Sequence, residues 1–162
     1  MKKIRIVGLV LILIGFKSCK KNEDKKETEK TNTETEQLAT EQCYKAVYEK
    51  DTLDLKITPL KDGKIVGSLV MKVFDEPKRE GKIEGEFKGD TLFCSYTFIL
   101  TKDVTKTYKN PMAFLKQGDE LILGNGEIEM YLGASYFKKD KPIDFEKVKY
   151  KFASVDCSTK TN

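Results

Sequence analysis

The sequence predicts an all-β domain of about eight antiparallel strands closed into an up-and-down barrel. Three observations lead there. From about Cys43 to Cys157, apolar and polar residues alternate at period two almost throughout. Turn residues such as Lys61-Asp62-Gly63, Gly89-Asp90 and Gln117-Gly118-Asp119 punctuate the alternation. No segment of this stretch carries an apolar stripe at helical period. Closure is expected because an open meander leaves two unpaired edges that invite aggregation. Eight strands enclose a space that side chains can just fill, or that holds one small ligand.

Ahead of the domain stands a leader. Met1-Lys2-Lys3-Ile4-Arg5 precedes the apolar run Ile6 to Phe16, then Lys17-Ser18-Cys19. A basic start, a short apolar core and a small residue before the cut describe a signal peptide over residues 1–18. As a helix the apolar run rises only about 17 Å, short of the ~30 Å hydrocarbon thickness. A cysteine directly after the small residue is what a lipoprotein signal peptidase needs. Cys19 is therefore the expected lipidation site, its thiol taking a diacylglycerol and its freed amine a third acyl chain. Phe16 stands where Leu is usual and Lys17 where a small residue is usual; the bland alternative is a secreted protein with an incidental Cys19. The expected address is the cell envelope, with the chain held at the outer membrane by lipid on Cys19.

Residues 19–42 read as a charged, flexible tether. Lys20 to Gln37 contains no apolar residue, so nothing there offsets the entropy of ordering. Some twenty residues of coil reach about 25 Å, enough to hold a domain clear of head groups. The charged run after Cys19 also fits an export address to the cell surface.

The strands follow in order. Cys43 to Tyr48 is the first. Leu53, Leu55 and Ile57 alternate with Asp54 and Lys56 in the second, and Ile65 to Val73 is the third. Ile83, Gly85 and Phe87 alternate with Glu84, Glu86 and Lys88 in the fourth; Leu92 to Leu100 is the fifth. A sixth ends through Met112 or Ala113 to Leu115, a seventh spans Leu121 to Met130, and the last runs from Val148 to Val155. Within the seventh, Asn125-Gly126 is the standard signal for a tight hairpin. The apolar face there shifts from Leu121 and Leu123 to Ile128 and Met130, which a bulge within one strand also produces. The bulge reading is adopted. Residues 158–162 form a tail.

Charge excludes one class of partner. The formal net charge of +4 belongs to Lys2, Lys3, Arg5 and Lys17, so the chain after the leader is neutral and its one arginine is Arg79. Nucleic-acid binding, which needs a basic face to displace counterions, is excluded.

Four cysteines in an exported chain point to a disulfide. With Cys19 lipidated, Cys43 and Cys157 bracket the first and last strands, neighbours in a closed meander, and are the expected pair. Cys94, on the apolar face between Leu92 and Tyr96, reads as a small buried hydrophobe.

The chain has no histidine, so no Ser-His or Cys-His pair, no histidine metal site and no catalytic residue is assigned. Gly81, Gly85 and Gly89 lie four apart in a strand context and read as relief of crowding at a bend. The acid pairs Asp75-Glu76, Glu84 with Glu86 and Glu127 with Glu129 resemble ordinary half-exposed strands more than a hydrolase dyad. A calcium set of Asp140, Asp144 and Glu146 lacks the dense loop such sites prefer. No cofactor and no metal is expected, and the protein is read as non-enzymatic.

Several segments carry a resemblance. Cys43-Tyr44, Gly89-Asp90-Thr91-Leu92 running into Tyr96-Thr97-Phe98, Ala113 to Asp119, Gly124-Asn125-Gly126-Glu127 and the closing Asp156-Cys157 resemble small uncharacterised lipoproteins of the Bacteroidota. The architecture is similar to a lipocalin-like barrel on a lipoprotein tether. The resemblance implies fold and location, and it favours placing Gly124 to Glu127 inside one strand. It departs from lipocalins in lacking their Gly-x-Trp, since the chain has no tryptophan.

Two non-enzymatic classes compete. In the first, the barrel binds a small amphiphile through the inward residues Leu69, Met71, Phe87, Tyr96 and Phe98, with Thr101–Pro111 or Gly133–Asp144 as rim. In the second, it is a packed structural or protein- or glycan-interaction module with no internal ligand. The sequence names no protein partner.

Overall fold

A computed structural model describes residues 40–158. The leader (1–18), Cys19, the tether as far as residue 39 and the tail from residue 159 lie outside the described residues. The described residues hold ten strands and no helix: β1 Gln42–Tyr48, β2 Asp51–Pro59, β3 Lys64–Lys72, β4 Arg79–Lys88, β5 Thr91–Leu100, β6 Asp103–Gln117, β7 Glu120–Leu123, β8 Ile128–Tyr131, β9 Ala134–Phe137 and β10 Lys151–Val155. Eight of them close an antiparallel barrel in the order β1-β10-β7-β6-β5-β4-β3-β2, and β8 with β9 forms a separate two-stranded sheet. The expected up-and-down barrel is therefore the observed one.

Register follows from the alternation. Leu53, Leu55 and Ile57 of β2 face Met71, Leu69 and Gly67 of β3. Ile83 of β4 faces Tyr96 of β5. A slip of one residue would turn this whole set to water. The inward residues form one cluster of buried side chains that includes Leu53, Leu55, Leu69, Ile83, Leu92, Tyr96, Phe114, Leu121 and Phe152. Each aliphatic or phenylalanine side chain so buried contributes about 1.5–3 kcal/mol of transfer free energy. The middle of the barrel is thus filled by its own side chains. Gly81 and Gly85 belong to this face: a Cβ on either would come within 2.1 Å of a β5 carbonyl oxygen, Thr97 O or Phe93 O. That is the expected relief of crowding. Gly89 instead sits in the β4–β5 turn at φ +61°.

The pairing distinguishes two ends. At one lie the turns containing Gly63, Gly89 and Gly118, together with Gln42 and Val155; we call this the disulfide end. There Cys43 and Cys157 are joined, with sulfurs 2.13 Å apart and Cα atoms 5.2 Å apart. This bridge fastens β1 to β10, already paired through Cys43 and Val155. At the other end lie the β1–β2, β3–β4 and β5–β6 turns and the long segment 124–150 between β7 and β10; we call it the insertion end.

Three expectations need correction, and all concern the wall formed by β6, β7 and β10. Leu121–Met130 is not one bulged strand. β7 stops at Leu123, the chain leaves the barrel, and β8 pairs only with β9. Gly124 and Gly126 cause the departure. A Cβ on Gly124 would come within 2.5 Å of Ile143 and Phe145, and one on Gly126 within 2.6 Å of the Phe137 ring. The glycines are bare backbone onto which those side chains fold. Asn125 N–H donates to Asp144 O at 2.8 Å, and Asp144 N–H returns to Asn125 O at 2.9 Å, which pins the insertion at its root. Second, the last strand begins at Lys151 rather than Val148. Third, Thr101–Pro111 is not a loop, because β6 runs unbroken from Asp103. Pro111 is tolerated there because β7 pairs only with Phe114–Gln117, so Pro111 has a ladder partner on one side alone. With four residues in β7 and five in β10, the wall is short at the insertion end, and β9 lies alongside β6 in the notch.

Candidate functional site

The notch carries a cavity of about 330 Å³ between the barrel mouth and the insertion. Met71 of β3, Arg79 of β4, Tyr96 and Phe98 of β5 and Asn110, Pro111 and Met112 of β6 line its barrel side. Leu123 to Gly126, Ile128 and Phe137 close the other. The volume lies at the lower end of the ~300–1,000 Å³ usual for small-molecule pockets. At about 30 Å³ per water-sized group, it accepts roughly ten heavy atoms.

Its floor is aromatic. Tyr96 and Phe98 lie two apart on the inward face of β5 and stack with centroids 4.7 Å apart. Phe98 stacks in turn on Tyr108, its cross-strand partner on β6, at 5.4 Å. This ladder leads from the packed core to the mouth. The Tyr96 hydroxyl is not free to meet a ligand, since it donates to the Leu69 carbonyl oxygen at 3.0 Å. Burial raises its pKa far above the ordinary phenol range. What Tyr96 offers the cavity is a ring face.

The one cationic side chain in the lining is Arg79. On β4 it shares the inward face with Gly81, Ile83, Gly85 and Phe87, and it pairs across the sheet with Met71. Its guanidinium bonds Glu76, three residues earlier in the β3–β4 turn. The side chain is 34% exposed.

A second polar group braces this end. Asp51, buried at the start of β2, accepts the Phe74 N–H at 2.8 Å through Oδ1. It accepts the Tyr150 hydroxyl at 2.8 Å through Oδ2. One carboxylate therefore ties the β1–β2 turn, the β3–β4 turn and the chain entering β10. These two bonds, the Phe74 one foremost, hold Asp51 below the usual carboxylate range. Burial and the same contact push Tyr150 up to about 12.

Of the five inward residues proposed from sequence, Met71, Tyr96 and Phe98 line the cavity. Leu69 is fully buried and Phe87 packs half-buried against the core, both outside the lining. Sequence reasoning missed Arg79, Met112 and Ile128, whereas Asn110 and Phe137 fall within Thr101–Pro111 and Gly133–Asp144, the two segments offered as rim. Arg79 was findable, since it continues the odd-numbered inward face of Ile83 and Phe87. Ile128 was not, because its place depends on β7 ending at Leu123. Cys94 is a free, buried thiol, and burial pushes it up to about 12.

Other groupings offer less. A recess of about 530 Å³ beside the disulfide is lined by Glu41, Gln42, Lys116, Asp119, Asp156 and neighbouring residues, without an aromatic floor for an apolar group beyond Tyr44. Among the described residues, the one set of three metal-ligand types within 4.8 Å of one another is Glu41, Cys43 and Cys157, and its sulfurs are spent in the disulfide. The calcium set is not brought together. Asp144 instead caps its own loop, accepting the N–H groups of Glu146 and Lys147 at 2.8 and 3.0 Å. Comparison of the chain with protein families, with curated proteins and with solved structures finds no match.

Proposed function

We propose that this protein is a lipid-anchored, non-catalytic lipoprotein of the outer membrane whose barrel holds a small amphiphile at its insertion end. The anchor rests on sequence: the leader 1–18, Ser18 before Cys19, and a tether with no apolar residue from Lys20 to Gln37. The binding reading rests on one observation, the 330 Å³ cavity floored by Met71, Tyr96 and Phe98. A cavity with aromatic walls and a polar mouth suits a molecule with an apolar part and a polar end. The filled middle of the barrel limits the ligand to the mouth and to about ten heavy atoms. The lack of histidine and the inert Cys94 support a binding rather than a catalytic role.

The test has two arms. For the anchor, Cys19→Ala is expected to abolish acyl labelling and release the protein from membranes; unchanged partitioning into detergent would refute it. For the cavity, native mass spectrometry of gently extracted protein is expected to show a small co-purifying amphiphile. The absence of such a species, together with no binding of an apolar fluorescent probe, would leave the packed interaction module as the better account.

A further inference from the structure

We infer that the ligand of this cavity carries an anionic head group, and that Arg79 recognises it. The inference deepens the amphiphile reading and rests on it. An arginine on the inward face of a small barrel is out of pattern, because the positions that continue its face, Ile83 and Phe87, are apolar. It is also the one arginine after the leader in a chain otherwise rich in lysine. Lysine and arginine differ in the way that matters here: the guanidinium is a planar fork that meets a carboxylate or phosphate through two parallel N–H donors.

Glu76 does not account for the placement. A half-exposed ion pair three residues apart contributes little to stability, and it needs no inward-facing position. Glu76 engages one terminal nitrogen of the guanidinium, while other donors of the fork remain for a second acceptor. That acceptor would sit at the cavity mouth, with Asn110 of β6, two strands away in the same lining, as an additional donor. The ligand's apolar part would then lie along Met71, Phe98 and Phe137. In this arrangement Glu76 is a resident counter-ion. It holds the guanidinium in place when the cavity is empty and competes with the incoming anion for it.

The probes follow from the volume. Octanoate has ten heavy atoms, and 1-octanol and octyltrimethylammonium match its chain with neutral and cationic heads. Their affinities for the full chain in amphipol are to be measured by calorimetry at neutral pH. Octanoate is expected to bind at least tenfold more tightly than octanol, and the cation more weakly than either. Arg79→Gln should bring the octanoate-to-octanol ratio close to one. Glu76→Gln should raise octanoate affinity several-fold by removing the competitor, which a merely structural ion pair would not do. If Arg79→Gln fails to fold, the wild-type head-group ratio and Glu76→Gln decide. Equal binding of octanoate and octanol, or preference for the cation, would overturn the anion inference and leave the cavity reading intact. No binding of any of the three would overturn both.

Discussion

Removing the disulfide that fastens the barrel seam should cost this protein much of its stability. The bridge closes 114 residues of chain between Cys43 and Cys157. In the unfolded state, a crosslink of that span removes loop entropy equivalent to about 4.8 kcal/mol at 25 °C. Residual structure in the reduced chain lowers this, and 3–5 kcal/mol is the expected loss for Cys43→Ala/Cys157→Ala. That is a large share of the 5–15 kcal/mol by which domains are stable. Unfolding entropy near 2.1 cal/mol/K per residue gives about 0.24 kcal/mol/K over the bridged 114 residues. A loss of 4 kcal/mol is then a fall in Tm of about 17 °C. Urea unfolding followed by circular dichroism measures it, and also reports mechanism. If the bridge acts on the unfolded chain, the variant's m-value should rise as that chain expands. A loss below 1 kcal/mol with an unchanged m-value would refute the reasoning. It would mean that β1 and β10 hold the seam through their ladder alone.

Further perturbations follow from single contacts. Cys94, with its thiol pushed up to about 12 by burial, should alkylate at pH 8 on the order of 10³-fold more slowly than an exposed cysteine; a peptide-like rate in folded protein would contradict its burial. Gly126→Val places a branched side chain against the Phe137 ring and should destabilise the insertion by about 1–3 kcal/mol through overpacking. Hydrogen exchange should quicken in 128–137 and not in β3 to β5. Asp51 is held below its ordinary pKa by the Phe74 N–H and the Tyr150 hydroxyl, so the unfolded chain takes up its proton first as pH falls. Its stabilisation is present above about pH 5 and is lost through the acid range below. Asp51→Asn should therefore show a smaller fall in Tm from pH 6 to pH 3 than the wild type; an equal fall would dissociate Asp51 from acid sensitivity.

Most of the barrel was legible because period-two alternation is a local signal that tertiary packing left unopposed. Ile83 to Phe87 and Leu92 to Leu100 read as strands for the reason they are strands: one face is buried and the other wet. The seam was legible too, since closure makes the first and last strands neighbours and brings Cys43 to Cys157. What escaped was the insertion. Leu123-Gly124-Asn125-Gly126 carries two local readings, hairpin and bulge, and the chain follows neither. The deciding contacts are long-range, from Ile143, Phe145 and Asp144 back onto Gly124 and Asn125, and sequence spacing does not encode them. The site inherited that blind spot. Residues on regular strands were placed on the correct face, whereas the height at which the cavity opens depended on where β7 stopped. Leu69 and Phe87 accordingly fell below the cavity, while Met71 and Phe98 fell within it.

The central claim is that the barrel holds an amphiphile at its insertion end, and titration with octanoate followed by ¹H–¹⁵N correlation spectra tests it most directly. Once the leader is removed, Arg79 contributes the one arginine Nε–H signal, an isolated reporter at the mouth. The account predicts saturable shifts of that signal and of the amides of Met71, Phe98, Asn110, Gly124, Gly126 and Phe137, with Gly63, Gly89 and Gly118 at the opposite end unmoved. Saturable shifts confined to Gly118, Asp119 and Ser154 beside the disulfide, or no saturable shift at all, would contradict it.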